Sequence, residues 1–190
     1  MTLKQYRFAD VTVFIILAVG ISFISEYLYK IMPIKYYYFN LSLLVSLILM
    51  VRWGWIGAVA FALSGIPVMI YRGGDASLFF QVLFYAVSNL SIGLSWFVLQ
   101  RIDKQQLAKS IRLTLYYLTT AIVGIVVVKG MLMIVVGENP FLSALQFFIG
   151  ESFNFFITTI LFLLISKLSD ELIVDMTDYL FQLQGEKSHI

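Results

Sequence analysis

The chain has 190 residues, of which 61% are hydrophobic and 13% charged, and its formal net charge is +2. Average proteins carry about 25% charged and 45–50% apolar residues, so this composition predicts an integral membrane protein rather than a water-soluble domain. The small net charge gives no reason to expect nucleic acid as a partner. There is no cysteine, and the single histidine, His189, stands next to the C-terminus. Disulfides, thiolate chemistry and a buried histidine metal site are therefore excluded, and no cofactor is expected.

Six apolar segments are predicted to be helices, since a membrane-spanning helix needs about 20 apolar residues. The third apolar helix is separated from the second by Arg52–Gly54, because the stretch 39–71 is too long for one helix and these residues are suited to a tight turn. In chain order the predicted segments are roughly 11–29, 39–51, 55–71, 78–99, 113–136 and 141–166. The fold class is thus an all-α membrane protein with six transmembrane helices in one bundle.

The positions of the basic residues predict that both termini are cytoplasmic. Loops on the N-terminal side of the predicted bundle carry the larger share of Lys and Arg, as the positive-inside rule requires. We divide the chain into a six-helix transmembrane domain, 1–167, and a cytoplasmic tail, 168–190. Apolar residues recur at helical spacing in the segment 167–184 while acidic residues occupy other positions. A short amphipathic C-terminal helix is therefore predicted there.

Ionisable residues inside the apolar segments are the strongest functional signal. Lys129 is expected about 10 Å below the outer end of the fifth helix, and Glu151 lies near the middle of the sixth. Glu26 lies in the outer part of the first helix. A charge at membrane depth is costly and usually faces protein or water. Lys129 and Glu151 either form a buried ion pair with each other or bind a polar ligand. A lysine suits a carboxylate or phosphate, and a glutamate suits an amine, ring nitrogen or hydroxyl.

Further polar and aromatic residues are expected near the outer end of the bundle. Hydrogen bonds between helices are the common alternative for such residues, and phenylalanine more often faces lipid. A pocket of this kind is mostly apolar with a few convergent polar groups. The candidate substrate-binding residues besides Lys129, Glu151 and Glu26 are Gln81, Tyr85, Asn89, Gln146, Tyr37 and Phe84. No metal-ligand cluster, phosphate-binding loop or catalytic triad is present in the sequence, so an enzyme is not expected.

Small residues on the first helix are candidates for a close helix contact. Ala18 and Ser22 stand four residues apart and allow two backbones to approach closely. The sequence leaves two alternatives open for this face. It either packs within the bundle or meets a partner protein.

The helix count, the length and the small-residue face resemble the substrate-binding S component of energy-coupling factor (ECF) type transporters. The segment "YYYFNLSLLVSLILMVRWGWIGAVAFALSGI" (36–66) is similar to that family's second and third helices. The resemblance implies a multi-pass protein of the bacterial plasma membrane that captures a water-soluble vitamin or related precursor at the outer face. It also implies that Ala18 and Ser22 contact a shared transmembrane coupling subunit, and that two ATPase subunits drive uptake.

A second class of protein has a similar size and helix number. Rod-shape-determining proteins of the MreD type are structural scaffolds that contact other proteins and have no small-molecule substrate. The two alternatives differ in the outer half of the bundle, where only a substrate-binding subunit needs a polar pocket.

Overall fold

The computed structural model describes residues 3–31, 39–102, 107, 110–168 and 176. Within these residues the fold consists of six main helices without a strand. In chain order they are α1 (Leu3–Ile31), α2 (Ser42–Trp53), α3 (Ile56–Arg72), α4 (Leu78–Leu99), α5 (Ile111–Val136) and α6 (Pro140–Leu168). The predicted amphipathic segment 167–184 begins with the last two residues of α6, and beyond them, apart from Met176, it lies outside the described residues, as does Tyr37.

The expectation of six helices is confirmed in number, but the helices differ in length. The helices α1, α4, α5 and α6 are long and apolar enough to cross a membrane. In contrast, α2 has 12 residues and α3 has 17. At 1.5 Å per residue α2 is about 18 Å long, well short of a hydrocarbon core of about 30 Å. The prediction that α2 spans the membrane by itself is therefore wrong. The 17 residues of α3 are at the lower limit of the length of a membrane-spanning helix, which is about 17–25 residues. The cytoplasmic position of both termini stays a prediction.

The turn between α2 and α3 forms where the sequence indicated a break. Trp53 ends α2, Ile56 begins α3, and Gly54 lies between them with φ of 74°. Residues with a side chain rarely adopt this left-handed conformation, whereas glycine adopts it without strain. The Gly54 N–H also donates to the carbonyl of Met50 at 2.9 Å, which ends α2 with a satisfied backbone group. The two helices therefore form a tight antiparallel hairpin.

The core of the bundle is built around α2. Eleven of its 12 residues are buried, and an apolar helix that is hydrophobic on all sides belongs in an interior. Leu47 is fully buried, and its carbonyl accepts a hydrogen bond from the Tyr117 hydroxyl of α5 at 2.9 Å. The Tyr117 ring packs in turn against Phe162 of α6, with 5.7 Å between ring centroids. The short helix is therefore enclosed by the longer ones.

A buried ion pair joins α1 to the C-terminal end of α2. Arg52 Nη2 lies 2.9 Å from Asp10 Oδ2, and the indole N–H of Trp53 donates to the same oxygen at 2.6 Å. Arg52 is only 5% exposed. Because a carboxylate and a guanidinium at this depth each need a partner, the pair fixes the start of α1 against the hairpin.

The small-residue face of α1 packs inside the bundle. Ala18 and Ser22 are both fully buried, and the Ser22 hydroxyl donates to the carbonyl of Ser64 on α3 at 2.7 Å. Of the two alternatives from the sequence, this geometry corresponds to internal packing. In this arrangement neither side chain is accessible to a partner, so the docking role implied by the resemblance gains no support from their position.

The helix α4 is irregular where it lies against α3. It starts as an α-helix, winds as a π-helix over Val82–Ala86 and as a 3₁₀-helix over Val87–Gly93, and ends as an α-helix. Gly65 of α3 lies directly against this segment, and a Cβ added there would collide with the carbonyl oxygen of Tyr85. Glycine at this position therefore permits close contact between the two backbones.

The Asp10→Ala variant is expected to lower the free energy of unfolding by about 3–5 kcal/mol, because it leaves Arg52 buried without its carboxylate. Asp75→Ala, which removes an exposed carboxylate from the loop after α3, is the matched control and should change stability by less than about 0.5 kcal/mol. Thermal unfolding of the purified proteins in detergent measures both. Equal stability of the two variants would contradict the assigned role of the ion pair.

The Gly65→Ala variant is expected to destabilise the protein by about 1–3 kcal/mol or more, since its methyl group meets backbone that must move. Gly20→Ala in α1 is the control, because a Cβ there meets nothing within 4 Å. That substitution should be neutral or stabilising by up to about 1 kcal/mol, as glycine disfavours helix interiors. If both variants unfold at the same temperature, the backbones of α3 and α4 are not in tight contact at Gly65.

Candidate functional site

The N-terminal end of α2 lies deep inside the bundle, and this position creates the site. Asn40, just before α2, donates its backbone N–H to the side-chain oxygen of Asn154 on α6 at 3.2 Å. Asn154 lies about 21 Å along α6 from its first residue, Pro140, at 1.5 Å per residue. The helix α6 therefore extends far beyond the level at which α2 begins. The space above the start of α2 is left to the surrounding helices.

A chain of hydrogen bonds crosses the bundle at this level. The Asn40 side chain accepts from the Ser42 N–H at 2.9 Å, which is the local bond typical of asparagine before a helix, and it donates to the Ser22 hydroxyl at 3.2 Å. Asn154 continues the chain by donating to a carboxylate oxygen of Glu151 at 3.4 Å. These bonds satisfy backbone and side-chain polar groups within an otherwise apolar bundle. They also connect α1, α2 and α6 to Glu151.

We call this hydrogen-bonded layer the polar floor; it consists of Ser22, Asn40, Ser42, Glu151 and Asn154. A cavity of about 210 Å³ lies above it. Its wall is part polar and part aromatic, as in most small-molecule sites. Five of the nine candidate residues predicted from the sequence line it: Lys129, Glu151, Tyr85, Asn89 and Phe84. The other lining residues are Asn40, Ser42, Leu43, Phe61, Ser64, Val68, Arg72, Ile125, Phe147, Asn154 and Phe155.

Lys129 lies in the cavity wall with its ammonium group between two aromatic rings. Its Nζ is 4.3 Å from the ring centroid of Phe147 and 5.4 Å from that of Phe84. Ring faces attract a cation, and the attraction increases when water is excluded. Among the described residues, no hydrogen bond or ion pair within 4 Å is made by this ammonium. The lysine is thus held in place while its hydrogen-bond donors stay available.

The predicted alternative of a direct Lys129–Glu151 ion pair is not what the structure contains. Both side chains line the same cavity, but they do not approach within the 4 Å of an ion pair. The Glu151 carboxylate is oriented by Asn154 instead, as described above. The cavity therefore holds one ammonium and one carboxylate, each fixed by neighbouring side chains and separated from the other.

Glu26 contributes to the site indirectly, through Arg72. Glu26 is 1% exposed and does not line the cavity; one of its oxygens lies 2.7 Å from Arg72 Nε. The guanidinium of Arg72 also covers the ring of Tyr29, at 4.4 Å. Tyr85 in turn donates its hydroxyl to the Arg72 carbonyl at 3.3 Å. Arg72 thus lines the cavity, and its positive charge is neutralised by Glu26, which does not line the cavity.

The remaining candidates are placed elsewhere or have other contacts. Gln81 donates to the carbonyl of Ala76 at 2.7 Å and so fixes the loop after α3 without lining the cavity. Gln146 is exposed on the outside of α6. Asn89 is 5% exposed and donates to the Phe61 carbonyl at 3.1 Å, whereas its side-chain oxygen finds no partner in the described part of the chain.

Arg72, Asn40, Ser42 and Ser64 are cavity residues that the sequence analysis did not predict. The third predicted segment ended at residue 71, so Arg72 was expected outside it, although it is the last residue of α3. Asn40 stands two residues before a mostly apolar helix, and this position was the available signal, because asparagine there caps local backbone groups. Within the described ranges, no group of three His, Asp or Glu side chains is arranged to hold a metal ion.

No protein-family model, curated protein or solved structure matches this chain.

The Asn40→Ala variant is expected to lower the free energy of unfolding by about 1–3 kcal/mol, because it leaves the buried Ser42 N–H without its acceptor. Gln146→Ala, an exposed amide on α6, is the control and should have almost no effect. Thermal unfolding in detergent gives both values. An Asn40→Ala protein as stable as the control would show that the polar floor does not hold the start of α2.

Proposed function

We propose that the protein is a membrane-embedded subunit that captures a small water-soluble molecule in this cavity, for uptake across the membrane. The observation that carries the proposal is the arrangement of Lys129 and Glu151, two opposite charges that line one cavity without pairing with each other. A purely structural role would favour a closed ion pair, because two separate buried charges cost stability. Ionisable residues within membrane-spanning segments commonly mark the path of a substrate or ion.

The proposal includes the ECF-type organisation that the sequence resembles. In that organisation the ligand is a water-soluble vitamin or a related precursor, and energy comes from partner subunits. A shared transmembrane coupling subunit and two ATPases would provide it, with this chain in the bacterial plasma membrane. The position of the cavity supports this assignment, since with the N-terminus in the cytoplasm the cavity lies in the outer half of the bundle. Because Ala18 and Ser22 are buried, the coupling subunit would contact other residues of this chain.

Ligand binding is tested by thermal unfolding of the purified protein with a panel of water-soluble vitamins and their precursors. A ligand that binds only the folded state at 100 times its Kd adds about 2.7 kcal/mol of stability. At least one member of the panel should therefore raise the unfolding temperature. If no member does, the protein is better described as a structural scaffold of the MreD type.

The Lys129→Met variant is expected to bind the panel ligand at least about tenfold more weakly, since a charged contact contributes 1.4 kcal/mol or more. Its unfolding temperature without ligand should stay at or above that of the unaltered protein, because the ammonium has no ion-pair partner to lose. Lys167→Met removes an exposed lysine at the far end of α6 and is the control for charge alone. Unchanged affinity in Lys129→Met would argue against this cavity as the binding site.

A further inference from the structure

The charged residues that the structure describes around the cavity form two pairs. In the closed pair the two side chains contact each other, and in the open pair they do not. Arg72 is neutralised by Glu26, which lies behind it at 2.7 Å. Among the lining residues that the structure describes, Lys129 and Glu151 are the other two charged ones, and they do not contact each other. The open pair has no net charge, so a ligand carrying a single charge would satisfy one member and leave the other without a partner.

The two open charges are held apart by different neighbours. The ammonium of Lys129 is attracted to the faces of Phe147 and Phe84, and the carboxylate of Glu151 is bonded to Asn154. The nearest backbone donors are already used, since the N–H groups of Asn40 and Ser42 bond to side-chain oxygens of Asn154 and Asn40. In the described part of this wall, Lys129 therefore has unused donors, and Glu151 and the side-chain oxygen of Asn89 have unused acceptor capacity; Lys129 and Glu151 are the two of these that carry a charge.

We infer that the cavity binds a small amphoteric molecule. Its anionic group, a carboxylate or phosphate, contacts Lys129, and its cationic nitrogen contacts Glu151. The body between the two groups is apolar or aromatic, because Phe84, Phe147 and Phe155 also line the cavity. The cavity volume of about 210 Å³ is below the range of about 300–1,000 Å³ that is usual for ligand pockets, so the ligand is a small molecule. The inference rests on the proposed function, since it assigns the ligand class of the same cavity.

The arrangement explains why both charges are tolerated in an apolar bundle. An amphoteric ligand compensates each charge with its opposite, so that all four charged groups are paired when the site is filled. Removal of one partner from a buried charge pair leaves the other charge without compensation, and a ligand lacking one charge has the same effect on the site. The site therefore selects for molecules that carry both groups.

The test uses three probes of similar shape on the full-length protein in detergent. They are 4-(aminomethyl)benzoate, which carries both charges, 4-methylbenzoate, which carries only the negative charge, and 4-methylbenzylamine, which carries only the positive charge. Calorimetric titration measures each affinity. We expect the first probe to bind at least about tenfold more tightly than either of the others, which corresponds to 1.4 kcal/mol.

Two variants locate the two contacts. Glu151→Gln should weaken the amphoteric probe at least about tenfold and should not weaken 4-methylbenzoate, which then binds as tightly as before or more tightly. Lys129→Met should likewise weaken the amphoteric probe and should not weaken 4-methylbenzylamine. Lys167→Met should change none of the three affinities. The probe series on the unaltered protein decides the question even where a variant does not fold.

The outcomes separate the inference from the proposed function. If a singly charged probe binds as tightly as the amphoteric one, or if the vitamin panel yields a ligand with only one charge or none, the inference is overturned and the proposed function stands. If neither the probes nor the panel bind, both are overturned. A panel ligand that carries both charges and loses affinity in both variants supports the inference even where the benzoate probe is too bulky to enter.

Discussion

The architecture depends on one constraint: a helix that begins in the interior of an apolar bundle must find partners for its free backbone groups. Water satisfies these groups at a protein surface, but it is absent at membrane depth. The short helix α2 begins at such a position, and Asn40 provides the local acceptor for its first turn. Asn154 of α6 and Ser22 of α1 then bond to Asn40. The same requirement places polar side chains at one level of the bundle, and a polar cavity is the result.

The sequence was sufficient to predict six helices and two charged residues that line the cavity. The bounds of α4 agree with the prediction because polar and glycine-rich residues flank a continuous apolar run. Lys129 and Glu151 were identifiable because a charge in such a run is costly and has to be sheltered. Tyr85, Asn89 and Phe84 were also placed correctly in the cavity wall. Hydropathy counts apolar residues, however, and carries no information on the level at which a helix starts. The depth of α2 was therefore not predictable.

The two amides that lie outside the cavity show where regular helix geometry misleads. Gln146 precedes Glu151 by five residues, and at about 100° per residue these side chains point in different directions, whereas Phe147 at four residues shares the face of Glu151. Gln81 precedes the π-helical turn of α4, which changes the phase of the helix, so the spacing of Gln81 from Tyr85 does not place them on one face. Pattern reasoning assumes 3.6 residues per turn, and α4 departs from that value where it borders the site.

The two ion pairs of α1 have a consequence for how the bundle can move. Asp10 binds the end of α2 and Glu26 binds the end of α3, and these acidic residues are about 24 Å apart along α1. A rotation or a one-turn slide of α1 would break both pairs at once, so the two pairs resist movement of α1 relative to α2 and α3. The boundary between these three helices and the last three is a seam in the bundle. The cavity lies on this seam, with walls from both sides, so opening the seam changes the distance between its walls.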